Sequence, residues 1–591
     1  MSRAPSTYAG LLLVASLAAA SGSAHTQEPD SSPPPPAAAD QVPAAAAPAA
    51  GEQAEGAVPS AEELGVFVDT LEVNVVNVEV YVTDKKGNRI TGLSRDDFSI
   101  VEDGKPMEIT NFYAVEGRRP VVAPRPAPPT TVPAAPGAPA APADLLPEDQ
   151  RLYLVVYIDN FNIDALNRNR LFRDLRVFLA DQVSVGDQVM LVTYDRSLHV
   201  RRTFTRDPQM AASSLTKVEK ITGFARQRET DRREALNRIK DARSGTEALT
   251  WARGWAQEVD NDLRFTIDAL KEMVGSLAGL PGRKAILYVS DGIPMVPAED
   301  LFHAVQEKFD TTSAITESFS FNAARQFSEL AAQANANRIS FYTIDAAGLR
   351  VSSDFSAENR NVPISGVDSV HTNNLQAPLC YVANTTGGIA ILNTNRATPM
   401  LARVAEDFNT YYSLGYRAPQ SGRGRYHKID VKVKRKGIEV RHREGYRDKT
   451  PEARMSDATT SLLYFPFDRN GLGVELGFGA ATPREDRYFV VPVQVRIPIG
   501  KVALVPHGET HEARVRLFIA AIDGEGRTSP VQQVAVPISI PQADVERAKQ
   551  QSYQYTTSLL MRDGLQTVAV GVRDELGGDE SFVTGRVRVG G

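Results

Sequence analysis

The pattern of hydrophobic positions divides the chain into blocks, and the longest block alternates short apolar runs with amphipathic stretches. Six apolar runs predict strands, at Leu152–Ile158, Gln188–Tyr194, His199–Thr205, Lys284–Val289, Ile339–Ile344 and Gly388–Leu392. Amphipathic segments between most of these runs predict helices, and such alternation indicates a doubly wound, mostly parallel sheet. The link at 195–197 is too short for a parallel crossover, so we predict one antiparallel edge strand.

Other blocks show the period of two that is typical of half-buried strands. Residues 64–119 predict a small N-terminal β domain, and residues 419–450 predict a β hairpin extension. Residues 470–591 predict a C-terminal β sandwich. The predicted fold class is therefore a multidomain α/β and β chain, in which small, sandwich-like β domains flank an α/β domain at 150–418.

The N-terminus predicts export. Arg3, the apolar run Leu11–Ala20 and the small residues Gly22–Ala24 form the pattern of a secretory signal peptide over residues 1–24. Residues 25–63 and 120–149 are rich in Pro and Ala, which predicts a disordered tether and a linker, and 451–469 predicts a further linker. We expect a periplasmic or extracellular protein without a transmembrane segment, because no later run is long and apolar enough.

Composition narrows the class of function. The chain has 591 residues, a formal net charge of −6 and one cysteine, Cys380. This charge gives no indication of nucleic-acid binding, and one cysteine excludes an intrachain disulfide and a cysteine-based metal site. The basic hairpin at 419–450 has no interleaved aromatic residues, which favours an exposed sheet face. His371 is near Asp368 and Ser369 in a predicted loop, but proximity in sequence does not establish the geometry of a catalytic triad. We therefore expect the protein not to be an enzyme.

Residues 207–280 contain no predicted strand and form a helical insertion in the α/β domain. Between residues 217 and 243, nine basic residues stand against five acidic ones. Two interpretations are open. The insertion is either a solvated helical hairpin whose charges face water or a protruding basic arm that docks a partner.

Six stretches together carry a family resemblance: Val78–Asp84, Gly92–Gly104, Phe265–Leu270, Leu280–Gly292, Tyr411–Tyr416 and Arg443–Tyr446. As an ordered set they resemble the von Willebrand factor A domain, and more closely the bacterial secreted VWFA-related proteins. In those proteins an N-terminal β segment precedes the A domain. The resemblance implies an A-domain sheet with one antiparallel edge strand.

Two aspartates mark the candidate site. Asp159 and Asp291 follow predicted parallel strands, whose carboxyl ends meet at a crevice where ligands bind. In A domains that bind ligands through a divalent ion, the resemblance implies an Asp-x-Ser-x-Ser segment, a threonine and a later aspartate around Mg²⁺. The open coordination position of that ion accepts a carboxylate from the partner. Asp159 and Asp291 match the two aspartates.

The other expected ligands are altered. Phe161 and Ile163 stand at the two serine positions, and Thr266 is the candidate threonine, with Thr246 as the alternative. Asn162 and Asp164 are one residue out of register and would rescue a site only if the loop is remodelled. We therefore predict a degenerate metal site at Asp159, Thr266 and Asp291. No cofactor is expected, and Mg²⁺ is the alternative.

These observations predict a non-enzymatic protein-binding or adhesion-type module that uses an A domain with a degenerate site. The alternative is a structural scaffold of an envelope assembly with no ion or ligand site, and a hydrolase is a distant third. The expected partner is a protein whose identity the sequence does not specify, and nucleic acid is not expected.

Overall fold

The computed structural model describes residues 75–117, 119–121, 151–182, 187–350, 366–418, 423–484 and 488–590. The predicted signal peptide and the predicted tether at 25–63 lie outside the described residues. So do residues 122–149 of the predicted linker. Pro120 and Val121, at the start of that linker, belong to a strand.

The first strands of the chain are β1 (Val75–Asp84), β2 (Phe98–Glu102), β3 (Lys105–Met107), β4 (Ile109–Glu116) and β5 (Arg119–Val121). The strands of the central unit are β6 (Leu152–Asp159), β7 (Gln188–Tyr194), β8 (Leu198–Thr205), β9 (Arg283–Ser290), β10 (Ile339–Asp345) and β11 (Ala390–Ile391). Its helices are α1 (Ala165–Val177), α2 (Pro208–Val218), α3 (Ala225–Asp241), α4 (Gly245–Ser276), α5 (Glu299–Phe309), α6 (Ser313–Ser318), α7 (Ala324–Ala336), α8 (Val367–Thr385) and α9 (Thr398–Asn409).

Within the described residues, the central unit contains a six-stranded sheet in the order β11-β10-β9-β6-β7-β8. Strand β8 is antiparallel to β7, and the other neighbouring strands are parallel. The predicted mixed sheet is confirmed. Every residue of β6 and β9 is buried, because helices cover both faces of the sheet. In β6, Leu154 and Val156 enter one apolar core, whereas Val155 and Tyr157 enter the other.

The N-terminal strands combine with β12 (Tyr411–Arg417), β13 (Tyr426–Val433), β14 (Ile438–Arg441) and β15 (Gly445–Arg447). One sheet has the order β14-β1-β12-β4-β5 and the other β15-β13-β2-β3, and both contribute to one apolar core. We call this pair of sheets the β layer. From the sequence, 64–119 and 419–450 are predicted to be separate units, and β12 falls in the predicted α/β domain. The structure joins all three because β12 pairs with both β1 and β4.

The remaining elements are α10 (Pro451–Tyr464), β16 (Arg469–Asn470), β17 (Glu475–Phe478), β18 (Thr482–Pro483), β19 (Tyr488–Pro498), β20 (Val505–His507), β21 (Thr510–Ile522), β22 (Gln532–Pro541), α11 (Val545–Ala548), β23 (Ser552–Arg562), β24 (Gly564–Asp574) and β25 (Glu580–Val589). One sheet has the order β16-β25-β24-β21-β20, with β22 on β21, and the other has the order β17-β19-β18, with β23 on β19. The two sheets share an apolar core.

Helix α10 occupies the segment that the sequence analysis assigns to the linker at 451–469. The Thr450 hydroxyl accepts a hydrogen bond from the Ala453 backbone nitrogen at 3.1 Å and caps the helix, and Pro451 follows the cap. Met455, Ala458 and Leu462 then recur at helical spacing and pack in a core with the C-terminal sheet. A capped, amphipathic helix therefore replaces the predicted linker.

Candidate functional site

The crevice lies where the order of the central sheet reverses. From β6, the chain places β7 and β8 on one side and β9, β10 and β11 on the other. The carboxyl ends of β6 and β9 therefore form a topological switch point, which is where open α/β sheets bind ligands. A cavity of about 830 Å³ opens here. Asn162, Asp164 and Asp291 line it, together with residues of α3 and α8.

Asp159 ends β6 with its side chain fully buried behind Asn162. One carboxylate oxygen, Oδ2, accepts hydrogen bonds from the Asn162 side-chain nitrogen at 2.8 Å and from the Tyr288 hydroxyl. The other oxygen, Oδ1, accepts a hydrogen bond from the Asn162 backbone nitrogen at 3.1 Å. Burial raises the pKa of the Asp159 carboxyl and raises that of the Tyr288 hydroxyl well above its usual value. Both oxygens of Asp159 are thus held by N–H and O–H donors.

The structure places Thr266 near Asp159 and Thr246 far from it. The Thr266 hydroxyl on α4 is 3.5 Å from the Asn162 side-chain nitrogen and donates to the Asp262 carbonyl at 3.0 Å. Thr246 lies near the other end of α4, about 30 Å away at the helical rise of about 1.5 Å per residue. Of the two alternatives, Thr266 is therefore the threonine that approaches the site.

Asp291 follows β9 and contacts the loop after β6. Its Oδ2 accepts hydrogen bonds from the Asp164 backbone nitrogen at 2.8 Å and the Asn167 side chain at 2.9 Å. Its Oδ1 is buried and has no hydrogen-bond partner among the described residues. Burial raises the pKa of the Asp291 carboxyl to about 7. A carboxyl group that gains a proton so readily is a weak ligand for a hard cation near neutral pH.

The residues at this position do not fit a magnesium ion. Phe161 and Ile163, at the two implied serine positions, are buried in opposite apolar cores. Mg²⁺ requires an octahedral shell of oxygen ligands, whereas the oxygens of Asp159 already accept hydrogen bonds. The out-of-register Asp164 is also engaged, because its Oδ1 caps α1 by accepting the Leu166 backbone nitrogen at 2.7 Å.

A guanidinium group from the helical insertion enters the same site. Arg228 of α3 donates a hydrogen bond to the Asn162 side-chain oxygen, and its guanidinium carbon lies 4.8 Å from the centre of the Phe161 ring. Its Nε is 4.0 Å from a carboxylate oxygen of Asp262. Asn162 thus connects Arg228 to Asp159. The sequence prediction did not include Arg228, although helical spacing places it on the same face of α3 as the buried Arg232 and Leu236.

Other arginines balance the acids around the cavity. Arg226 of α3 donates to Asp164 at 3.0 Å, and Arg350 donates to Asp345 at 3.2 Å and to the Asp291 carbonyl. Part of the insertion therefore covers the crevice, so neither proposed interpretation of 207–280 describes α3 fully. Its inner arginines face the sheet, whereas Arg233 remains largely exposed.

His371 lies on α8 and not in the loop that the sequence analysis assumes. The first turns of α8 also contain Asp368 and Ser369. The Nδ1 of His371 is 3.7 Å from a carboxylate oxygen of the buried Asp300, which accepts a hydrogen bond from Arg232 at 2.7 Å. Burial opposes ionisation of Asp300, yet His371 and Arg232 hold its pKa well below the usual range. His371 thus belongs to an ion cluster at the cavity wall.

Comparisons with known proteins give distant structural likenesses. No family model matches the chain, and no curated protein matches it. Among solved structures, the chain is similar to a von Willebrand factor type A protein from Catenulispora acidiphila, with 10% identity, a TM-score of 0.19, and coverage of 74% of this chain and 66% of that one. It is also similar to BatB from Bacteroides thetaiotaomicron, with 11% identity, a TM-score of 0.21, and coverage of 44% and 96%.

A variant of the PilB minor pilin from Streptococcus sanguinis matches at 10% identity and a TM-score of 0.24, over 58% of this chain and 91% of that one. Because these TM-scores are low, we base the proposed function on the residues of this chain. In the part of the chain that the structure describes, no helix is long and apolar enough to cross a membrane.

Proposed function

We propose that this chain is an exported, non-enzymatic binding protein whose crevice recognises an acidic group of a partner protein through arginine side chains. The observation that carries the proposal is the position of Arg228. Its guanidinium reaches Asn162 and stacks on Phe161, beside the strand end at which related sites would hold a divalent ion. The chain itself then supplies a guanidinium group near the position where those sites hold the ion.

A guanidinium group suits this task chemically. Arginine stays charged at any physiological pH and binds a carboxylate through parallel N–H donors, so it replaces an ion-bridged contact by a hydrogen-bonded ion pair. Arg226 and Arg233 extend the basic side of the cavity. Their side chains are 69% and 71% exposed, and each pairs with an acid through Nε. Exposed guanidinium groups of this kind retain further N–H donors for a partner.

The cavity also has a shape suited to a side chain or a chain terminus. Its volume of about 830 Å³ lies within the range of small-molecule pockets. Trp255, Val259 and Leu375 give it apolar wall area between the charged groups. A partner that inserts an acidic residue would thus both bury apolar surface and form an ion pair. Residues anchored in such pockets contribute most of the binding energy of an interface.

Affinity capture from the native envelope, with EDTA present throughout, tests the proposal. The wild-type chain is compared with Arg228→Gln, Arg226→Gln and a matched control, Arg586→Gln, which alters an exposed arginine on β25. We expect the wild type and the control to capture the same protein, and the two crevice variants to lose most of it.

Three outcomes would contradict the proposal. Capture that is absent in EDTA but present in a parallel experiment with excess Mg²⁺ would indicate an ion-dependent contact. Full capture by the Arg228→Gln and Arg226→Gln variants would show that the partner binds elsewhere, as expected for a scaffold that uses no ligand site. Turnover of a substrate in a broad hydrolase panel, if abolished by a crevice variant, would favour the hydrolase alternative.

A further inference from the structure

We propose that the β layer contains a zinc site formed by Glu102, Asp103 and His427. One ligand atom from each residue lies within 4.8 Å of the other two. The His427 Nδ1 is 2.8 Å from Asp103 Oδ2 and 3.5 Å from Glu102 Oε1. This site is remote in sequence from the crevice residues and does not depend on the function proposed for them.

Strand pairing brings the three residues together. Glu102 ends β2, which pairs with β13 in a register that places Ile429 opposite Glu102. Asp103 then begins the tight turn to β3, with φ of 47°, followed by Gly104 with φ of 81°. Positive φ at both positions is typical of a type I′ hairpin turn, for which Asp-Gly is a preferred sequence. The turn directs Asp103 towards His427 near the start of β13.

Each carboxylate has one oxygen fixed by a second donor and the other oxygen near His427. Glu102 Oε2 accepts a hydrogen bond from the Tyr446 hydroxyl at 3.2 Å, and Asp103 Oδ1 accepts one from the Lys428 backbone nitrogen at 2.8 Å. The His427 ring stacks on Tyr446 with 5.2 Å between ring centres. Such outer contacts orient the ligands of metal sites and fix the imidazole ring.

The charges of this cluster favour a bound cation. Glu102 is only 5% exposed, and a buried carboxylate beside a second carboxylate requires compensating positive charge. Among the described residues, the ion pairs of Glu102 and Asp103 are with His427 alone. Histidine supplies at most one positive charge, and only when protonated. A divalent ion on neutral His427 would balance both acids.

The ligand set indicates which ion. Imidazole nitrogen favours zinc over the hard ions Mg²⁺ and Ca²⁺, which take oxygen ligands. Zinc bonds to nitrogen and oxygen of about 2.0–2.2 Å place tetrahedral ligands roughly 3.3–3.5 Å apart, as seen between Glu102 and His427. Asp103 Oδ2 is closer to His427, at 2.8 Å, and this 49% exposed side chain has room to turn outward while Oδ1 keeps its hydrogen bond from Lys428. Three protein ligands leave the fourth position to water.

Zinc titration calorimetry on the purified full-length chain, after removal of metal with EDTA, tests the proposal. We expect one Zn²⁺ per chain at micromolar concentration and no comparable binding of Ca²⁺. His427→Ala and Asp103→Asn should each weaken binding by at least roughly tenfold. The control His507→Ala should leave it unchanged, because His507 approaches Glu512 at 3.5 Å and the described residues offer no third metal-ligating side chain there.

The Asp103→Asn variant separates loss of a zinc ligand from misfolding, because asparagine also favours the positive φ of this turn and should leave the fold intact. Its metal-free melting temperature should equal that of the wild type, and Zn²⁺ should raise the melting temperature of the wild type only. Absence of stoichiometric zinc binding in the wild type would overturn the proposal. Unchanged zinc affinity in both His427→Ala and Asp103→Asn would also overturn it by placing the ion elsewhere.

Discussion

The two edges of the central sheet both carry buried arginines and acids, but the carboxyl edge opens to the cavity described above, whereas the β layer packs against the amino edge. At the carboxyl edge, Asp291 and Arg228 line the crevice. At the amino edge, the β layer covers the charges. There Arg283, the first residue of β9, donates to the Tyr81 hydroxyl of β1 at 3.1 Å and to the Asp407 carbonyl at 3.2 Å.

The amino edge is held by a dense ion network. Asp407 is fully buried and accepts hydrogen bonds from Arg441 at 2.8 and 2.9 Å and from the Tyr342 hydroxyl at 3.0 Å, and it pairs with Arg89. These contacts join the central unit to the β layer. Similar residues therefore have different roles at the two edges. The ion pairs at the amino edge hold the central unit against the β layer, whereas those at the carboxyl edge lie beside a cavity that a ligand can enter.

The largest expected effect is on stability at the amino edge. Asp407→Asn removes the charge that Arg441 and Arg89 surround and leaves these partly buried guanidinium groups without that counter-charge. Loss of one member of a buried ion pair typically destabilises a protein by about 3–5 kcal/mol. Urea unfolding should show this change. A matched control is Asp544→Asn, because its pair with Arg547 is exposed and contributes about 0–1 kcal/mol. Equal losses in both variants would contradict the structural role of the amino edge.

The two edges should respond to pH with opposite sign. Asp291 has a pKa of about 7 when folded, against about 3.9 in an unfolded chain, so between these values the folded state holds the extra proton. Its contribution to stability is therefore complete below pH 4 and is lost as the pH rises towards 7, by at most about 1.4 kcal/mol per pH unit. Unfolding free energies of wild type and Asp291→Asn, measured from pH 4 to pH 8, should differ in slope, and parallel curves would contradict this prediction.

Glu79 of β1 provides the opposite case at the amino edge. Burial opposes its ionisation, but Arg338, Arg443 and Arg283 outweigh burial and lower the pKa of Glu79 to about 2. Its contribution is present above the unfolded pKa of about 4.3 and is lost as the pH falls towards 2. Glu79→Gln should thus have a smaller acid-side slope than the wild type in the same unfolding measurements, while the slope between pH 5 and pH 8 stays unchanged. An acid-side slope equal to that of the wild type would disprove the assignment.

A smaller effect is expected from Arg228→Gln. The Asn162 oxygen loses a donor, but water in the cavity can replace it, so we expect a loss of about 1 kcal/mol or less. Arg228→Gln would then lose partner binding but little folding stability, whereas Asp407→Asn at the amino edge loses stability. A destabilisation as large as that of Asp407→Asn would indicate that Arg228 is structural and that the carboxyl edge resembles the amino edge.

The smallest expected effect is that of added Mg²⁺. Because the oxygens of Asp159 are engaged by hydrogen-bond donors, millimolar Mg²⁺ should stabilise the chain by about 0.4 kcal/mol or less, the value for an ion near its dissociation constant. Calorimetric melting temperatures check this. If micromolar Mg²⁺ raised the melting temperature and Asp159→Ala abolished the shift, an ion-dependent site would replace the degenerate one.

Local sequence patterns predicted the parts of the fold that depend on local burial. The apolar runs of β6 and β9 and the aspartates that follow them were evident because a strand buried on both faces has few polar residues. The position of Arg228 was not, since Leu236 and Ile239 mark the inner face of α3 but do not indicate that this face lies over the crevice, which depends on tertiary contacts. Pairing of β12 with β1 was also hidden. Leu93 donates to the hydroxyl of Tyr412, 319 residues later, and no local period encodes such a partner.

The position of β12 between β1 and β4 has a consequence for the order in which the chain folds. Strands β1 to β5 precede the central unit in the chain, yet the strand that pairs with both β1 and β4 follows that unit. Closing so long a loop carries a large entropic cost and is slow. Until β12 arrives, β1 and β4 expose unpaired edges that are prone to aggregation, and the central unit is expected to fold before the sheet that precedes it in sequence.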